Sequence, residues 1–189
     1  MTTNFIDSEI TDFKVNAYHD GDFTEVTKQD TLGKWGIYFF YPADFSFVCP
    51  TELGDLADHY ADFQNINAEI YSVSEDSEFV HKAWAEATDT IAKVKYPMLA
   101  DPAGKLARFF NVLDEDAGLD FRATFIVDPE GKIQSYTINN MGIGRNAEEI
   151  LRTLEAAQFV AEHGDRVCPA NWHPGEDTIA PSLDLVGKI

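Results

Sequence analysis

The sequence predicts an α/β sandwich, a central mixed sheet flanked by helices, and three observations predict it. Short apolar runs of strand length alternate with stretches of helical periodicity. The last two of those runs flank Asp128-Pro129-Glu130-Gly131, which reads as a hairpin turn, so part of the sheet is antiparallel. A long amphipathic segment then closes the pattern at 146–162.

Taken in order, residues 11–27 read as an N-terminal β-hairpin, FKVNAYH and DFTEV joined by Asp20-Gly21, a pair suited to a tight turn. Trp35 to Tyr41 (WGIYFFY) is apolar on both faces and therefore belongs in the middle of a sheet. Further strands are expected at Ala68–Ser74, Tyr96–Ala100, Arg122–Val127 and Ile133–Ile138, and helices at about 51–66, 76–93, 103–111 and 146–162. In the last helix Asn146 reads as the cap, and Ile150, Leu151, Leu154, Ala157, Phe159 and Val160 form the apolar stripe, with Gly164 past its end. This order of elements is that of a thioredoxin-like fold. The domain is expected to span 1–164, and 165–189, with Pro169, Pro174, Gly175 and Pro181, reads as an extended, poorly packed C-terminal tail.

Composition narrows the function. A length of 189 residues suffices for one domain with a full core. Fourteen basic against thirty-three acidic residues give a net charge of −19, which repels phosphate backbones and anionic lipid. Nucleic acid and membrane are therefore not expected partners, and no apolar run reaches the ~18 residues of a span. With no basic-then-apolar leader in the first thirty residues, the expected location is the cytoplasm. The five histidines (His19, His59, His81, His163 and His173) show no ligand spacing and the glycines no phosphate loop, so neither a metal nor a cofactor is expected. Tyr71, Phe109, Phe110 and Phe125 read as core, and Asp114-Glu115-Asp116 as a solvated loop.

Two cysteines remain, Cys49 and Cys168, with no CxxC between them. In a reducing compartment a structural disulfide is unusual and a transient catalytic one is not. Cys49 follows the central strand and precedes Pro50, which suits the first helical position and pushes its neighbour out of helical geometry into a cap. The helix it opens has Leu53, Leu56, Tyr60 and Phe63 on one face. A sulfur at a helix start meets unpaired N–H groups worth ~0.3–1 kcal/mol to an anion, ~2 at best. Bringing a free thiol of pKa ~8.5 down to ~6 takes about 3.4 kcal/mol. Phe45, Phe47 and Val48 around it are expected to desolvate the charge and raise that requirement. A cation is needed, and antiparallel pairing of RATFIV with WGIYFFY brings Arg122 to the mouth where Cys49 emerges. Ser46 offers a hydroxyl, and Pro42 shapes and shields the loop. Cys168, in the proline-rich tail, is placed where a mobile thiol could reach an oxidised partner.

The string FYPADFSFVCPTELGDLADHY, with Pro42, Ser46 and Cys49 at their spacing, resembles the active-site motif of the peroxiredoxins. The likeness continues through YSVSEDSEFVHKAW, RATFIVDPEG, GIGR, VCPANW and APSLDLVGKI, essentially the whole chain. It implies a typical 2-Cys thiol peroxidase acting on hydrogen peroxide and organic hydroperoxides. Cys49 is then the peroxidatic cysteine, Cys168 the resolving one from a partner subunit, Arg122 the activating cation, and Glu52 with Arg145 a supporting acid–base pair. It also implies dimers assembling into a decameric ring, and recycling by an AhpF-like flavoprotein disulfide reductase or by thioredoxin. An oligomeric holdase chaperone is the alternative function. The sequence departs from the family pattern at Ser46, where threonine is usual.

Overall fold

The computed structural model describes residues 4–188. They divide into two compact units, the first ending at Ala147 and the second beginning at Glu148.

The first unit begins with strands β1 (Lys14–His19) and β2 (Asp22–Thr27), antiparallel about Asp20-Gly21, both at positive φ. A short helix α1 (Lys28–Thr31) leads into β3 (Trp35–Phe40), every residue of which is buried. Helices α2 (Cys49–Asp58) and α3 (Tyr60–Asn65) precede β4 (Ala68–Ser74). Then come α4 (Glu78–Ala87), α5 (Asp89–Ala92), β5 (Met98–Ala100), α6 (Lys105–Phe109), the small hairpin β6 (Leu113–Asp114) and β7 (Leu119–Asp120), and the hairpin β8 (Arg122–Val127) and β9 (Ile133–Asn139). The seven-stranded sheet of the described residues runs β2-β1-β5-β4-β3-β8-β9. β3 lies at its interior, parallel to β4 and antiparallel to β8. This is the mixed, helix-flanked sheet of a thioredoxin-like fold. Its aromatic core includes Tyr38, Phe40, Tyr71, Phe110 and Phe125, with Phe109 partly buried beside them.

Several boundaries differ from expectation. The helix expected over 51–66 breaks at His59, and that over 76–93 at Thr88, which adopts extended geometry while its hydroxyl donates to the carbonyl of Trp84 at 2.8 Å. β5 starts at Met98, after Pro97, which has no N–H to add to a ladder. The acidic run lies at the tip of the β6–β7 hairpin, where Asp114 ends β6 and Glu115 and Asp116 form an exposed turn, with Glu115 pairing with Arg108 at 2.7 Å.

In the second unit α7 (Ala147–Glu162) is followed by a segment that folds back on it. The expectation of a poorly packed tail fails for residues 165–179. Trp172 is buried and packs on Phe159 with ring centroids 5.0 Å apart, its indole N–H donates to the carbonyl of Glu176, and Val167 bridges Ile179. A large aromatic and a cross-segment bridge give this stretch enough contact to hold one conformation. Beyond it, Leu183 and Val186 are exposed.

Candidate active site

Cys49 is fully buried and is the first residue of α2, one position further into the helix than expected. The cap is Val48, in helical geometry, and its carbonyl accepts from the N–H groups of Thr51 and Glu52 at 3.0 and 3.2 Å. Pro50 is tolerated because its missing N–H belongs to the unbonded first turn.

The register of β3 against β8 runs to Phe40 opposite Ala123, so Arg122 is the next residue toward the loop that carries Cys49. Its guanidinium is buried. Nη1 donates to Cys49 Sγ at 3.3 Å and to Glu52 Oε2 at 2.6 Å, and Nε donates to the carbonyl of Met141 at 2.6 Å. Glu52, one helical turn beyond Cys49 and equally buried, also accepts from Arg145: its Oε1 from the backbone N–H and Nε, both at 2.9 Å, and its Oε2 from Nη2 at 3.1 Å. Arg145 Nη1 donates to the carbonyl of Ala123 at 2.6 Å, and its guanidinium carbon lies 3.3 Å from the Phe39 ring centroid. Burial pushes the Arg145 guanidinium below its ordinary pKa, and the bonds to Glu52 oppose that shift. Two guanidiniums share one carboxylate, which leaves one positive charge, and a thiolate at Cys49 would balance it.

The loop between β3 and α2 is anchored by residues that sequence reasoning missed. The Tyr41 hydroxyl donates to Asp44 Oδ1 and His81 Nδ1 lies on Asp44 Oδ2, both at 2.7 Å, with His81 Nε2 3.2 Å from the Leu99 carbonyl. The Asp44 N–H donates to Asp76 Oδ2 at 2.8 Å. A signal was present: His81 falls on the buried face of α4 with Trp84 and Ala85, and a buried polar ring requires partners. Pro42 is buried in this loop. The Ser46 hydroxyl donates to the carbonyl of Ala43 at 2.8 Å. The expectation that Phe45 and Phe47 would bury the sulfur is overturned, because both are exposed. Phe45 turns outward through a left-handed backbone conformation, and its ring lies 5.9 Å from that of Trp84.

Cys168 lies in the second unit, half-buried, with its thiol 3.9 Å from the carbonyl of Ala156. Partial burial raises its pKa, and the Arg152 charge opposes the shift. Both cysteines are free thiols. Among the described residues no His, Cys, Asp and Glu group is arranged to hold a metal ion, and no helix is long and apolar enough to cross a membrane.

A thioredoxin-like sheet that presents a buried cysteine at a helix start beside a guanidinium defines a thiol-dependent peroxidase. Comparison with known proteins gives the family. Residues 6–136 match the AhpC/TSA family, and residues 156–188 match the C-terminal domain of 1-Cys peroxiredoxin. The chain is 55% identical to alkyl hydroperoxide reductase C of Salmonella typhimurium and 48% identical to that of Bacillus subtilis. Each match covers 98% of this chain and all of the relative. Among solved structures, Enterococcus faecalis AhpC matches with a TM-score of 0.87 and 69% identity, over 88% of this chain and 100% of that one. Reduced Plasmodium vivax 2-Cys peroxiredoxin matches with a TM-score of 0.91 and 34% identity over 96% of each chain. The chain belongs to the AhpC/TSA family, and it is a peroxiredoxin, a peroxidase that works through a cysteine thiol with a reductase partner.

Proposed function

We propose that this chain reduces hydrogen peroxide and organic hydroperoxides by attack of the Cys49 thiolate on the O–O bond. One S–O bond forms, the O–O bond breaks, and with one proton the leaving oxygen departs as water or an alcohol, leaving Cys49 as a sulfenic acid. Cys168 of a second copy condenses with it, releasing water and forming an intersubunit disulfide. An external dithiol reductase then returns both thiols by exchange. An AhpF-like flavoprotein disulfide reductase is the donor we place first, with thioredoxin second, in the cytoplasm.

The contact of Arg122 Nη1 with Cys49 Sγ at 3.3 Å carries the reading. The charge of that guanidinium lies where it stabilises both the thiolate and the charge that develops on the leaving oxygen. Glu52 and Arg145 fix its orientation, and Pro42 and Ser46 shape the loop. Self-association into dimers and a ring is supported by two surface features. β9 is an edge strand with Ile138 exposed, and the exposed Phe23 and Phe79 rings pack together 5.1 Å apart.

The test is turnover of Cys49→Ser with a dithiol donor. We expect peroxide consumption to fall to the uncatalysed rate, and sustained turnover would defeat the assignment.

A further inference from the structure

A second group of buried ionisable side chains lies away from Cys49 and has no place in the steps above. Glu75 follows the end of β4 and Asp120 ends β7, two residues before Arg122. Asp120 is fully buried, and both of its carboxyl oxygens lack a hydrogen-bond donor, as does the buried Oε1 of Glu75. We propose that Glu75 and Asp120 share one proton, and that this acid–carboxylate bond holds the strand that delivers Arg122, so the two are positioning residues for peroxide reduction. The second half rests on the role given to Arg122 above.

The neighbours exclude other sources of a proton donor. Asp101, at the end of β5, faces the pair, but its oxygens are occupied by the N–H groups of Lys105 at 2.8 Å and Ala107 at 3.0 Å. Arg108, on α6, is the nearby cation, yet its guanidinium is bound to Glu115 and to the carbonyls of Ala103 and Gly104. Asp76 adds a further negative charge from the β4 side, and Glu115 another from the β6–β7 turn. Two ionised carboxylates facing each other in such a place would both be unpaired. A carboxyl that keeps its proton becomes a donor to the other. Burial and the neighbouring carboxylates push both groups upward, Glu75 to about 7 and Asp120 to about 9, while the contact between the two side chains raises Asp120 and lowers Glu75, which leaves the proton on Asp120; the values belong to the pair.

The main chain connects the pair to the site. Asp120 pairs with Leu113, the Phe121 N–H donates to the carbonyl of Val112 at 2.8 Å, and Arg122 follows directly. When the shared proton leaves, two buried charges repel at the base of this strand. The folded state holds protons that the unfolded chain has released above the ordinary carboxylate range of ~4, so stability falls as pH rises from there to the top of the pair's titration.

The experiment uses the full chain with Cys168→Ser, comparing the parent with Asp120→Asn and Glu75→Gln, whose amides donate without a titrating proton. Infrared difference spectra between about pH 6 and pH 10 should show a protonated-carboxyl C=O band in the parent that is lost in alkali and absent from both variants. The parent folding constant should fall with pH by up to about tenfold per unit for each retained proton, and the variants should lack that component at the same protomer concentration. The first oxidation of Cys49 by peroxide should decline in the parent by about tenfold per pH unit above loss of the proton, with the variants holding their plateau further into alkali. Absence of the band, or parallel stability slopes, overturns the shared proton. So does parent stability in alkali that rises with added calcium or magnesium chloride, since a cation would then sit between the carboxyls. Superimposable pH–rate profiles overturn the positioning role. A Cys49 that does not react with peroxide at all would instead count against the peroxidase reading, since the band and the slopes are read without it.

Discussion

The two cysteines of this chain sit in opposite environments. Cys49 is fully buried at the start of a ten-residue helix, and a guanidinium that is itself clamped by a carboxylate donates to its sulfur. Cys168 is half-exposed in the turn after α7, with a weak 3.9 Å contact to a carbonyl, and its pKa is raised. Burial by itself disfavours a thiolate. What separates the two is the donor set: a buried sulfur with a fixed cation is built to carry charge, whereas a half-exposed thiol without one is suited to attack a sulfur that is already oxidised.

Cys168→Ser breaks the comparison most sharply. It should consume one equivalent of peroxide per chain and then stall with Cys49 as sulfenic acid. Quenched-flow peroxide measurement with trapping of the sulfenic acid checks this, and continued turnover would mean that Cys168 does not resolve the intermediate. Glu52→Gln sharpens it from the other side. Removing the one carboxylate between Arg122 and Arg145 leaves two buried cations facing each other, and breaking such a network costs about 3–5 kcal/mol. Denaturant unfolding should show that loss. A change below about 1 kcal/mol would show that solvent reaches the cluster.

Much of this arrangement was legible in the chain. The uninterrupted apolar run Trp35–Tyr41 marked a buried interior strand, and antiparallel pairing with Arg122–Val127, read as one arm of a hairpin, placed Arg122 beside the mouth where Cys49 emerges. What escaped depends on contacts between distant residues. His59 and Thr88 break helices with neither glycine nor proline at the break. The Asp44–His81 anchor joins residues 37 positions apart, and Glu75 meets Asp120 only because β4 and the β6–β7 hairpin converge. Phe45 and Phe47 read as shielding residues because their apolarity was visible, while the left-handed turn that points Phe45 outward was not. The proline-rich tail read as unpacked because Trp172 finds its partner, Phe159, back on α7.

In the proposed function the Arg122 guanidinium makes Cys49 the reactive sulfur. The most direct test of this is the second-order rate of Cys49 oxidation by hydrogen peroxide in a Cys168→Ser background, comparing Arg122 with Arg122→Ala and Arg122→Lys. Losing a donor aimed at developing charge costs about 10²–10³ in rate, and an ammonium without the planar fork should restore only part of it. A fall of that size in Arg122→Ala, with partial recovery in Arg122→Lys, is the expected result. An Arg122→Ala rate equal to the parent's would contradict the account and move the search for the cation to Arg145.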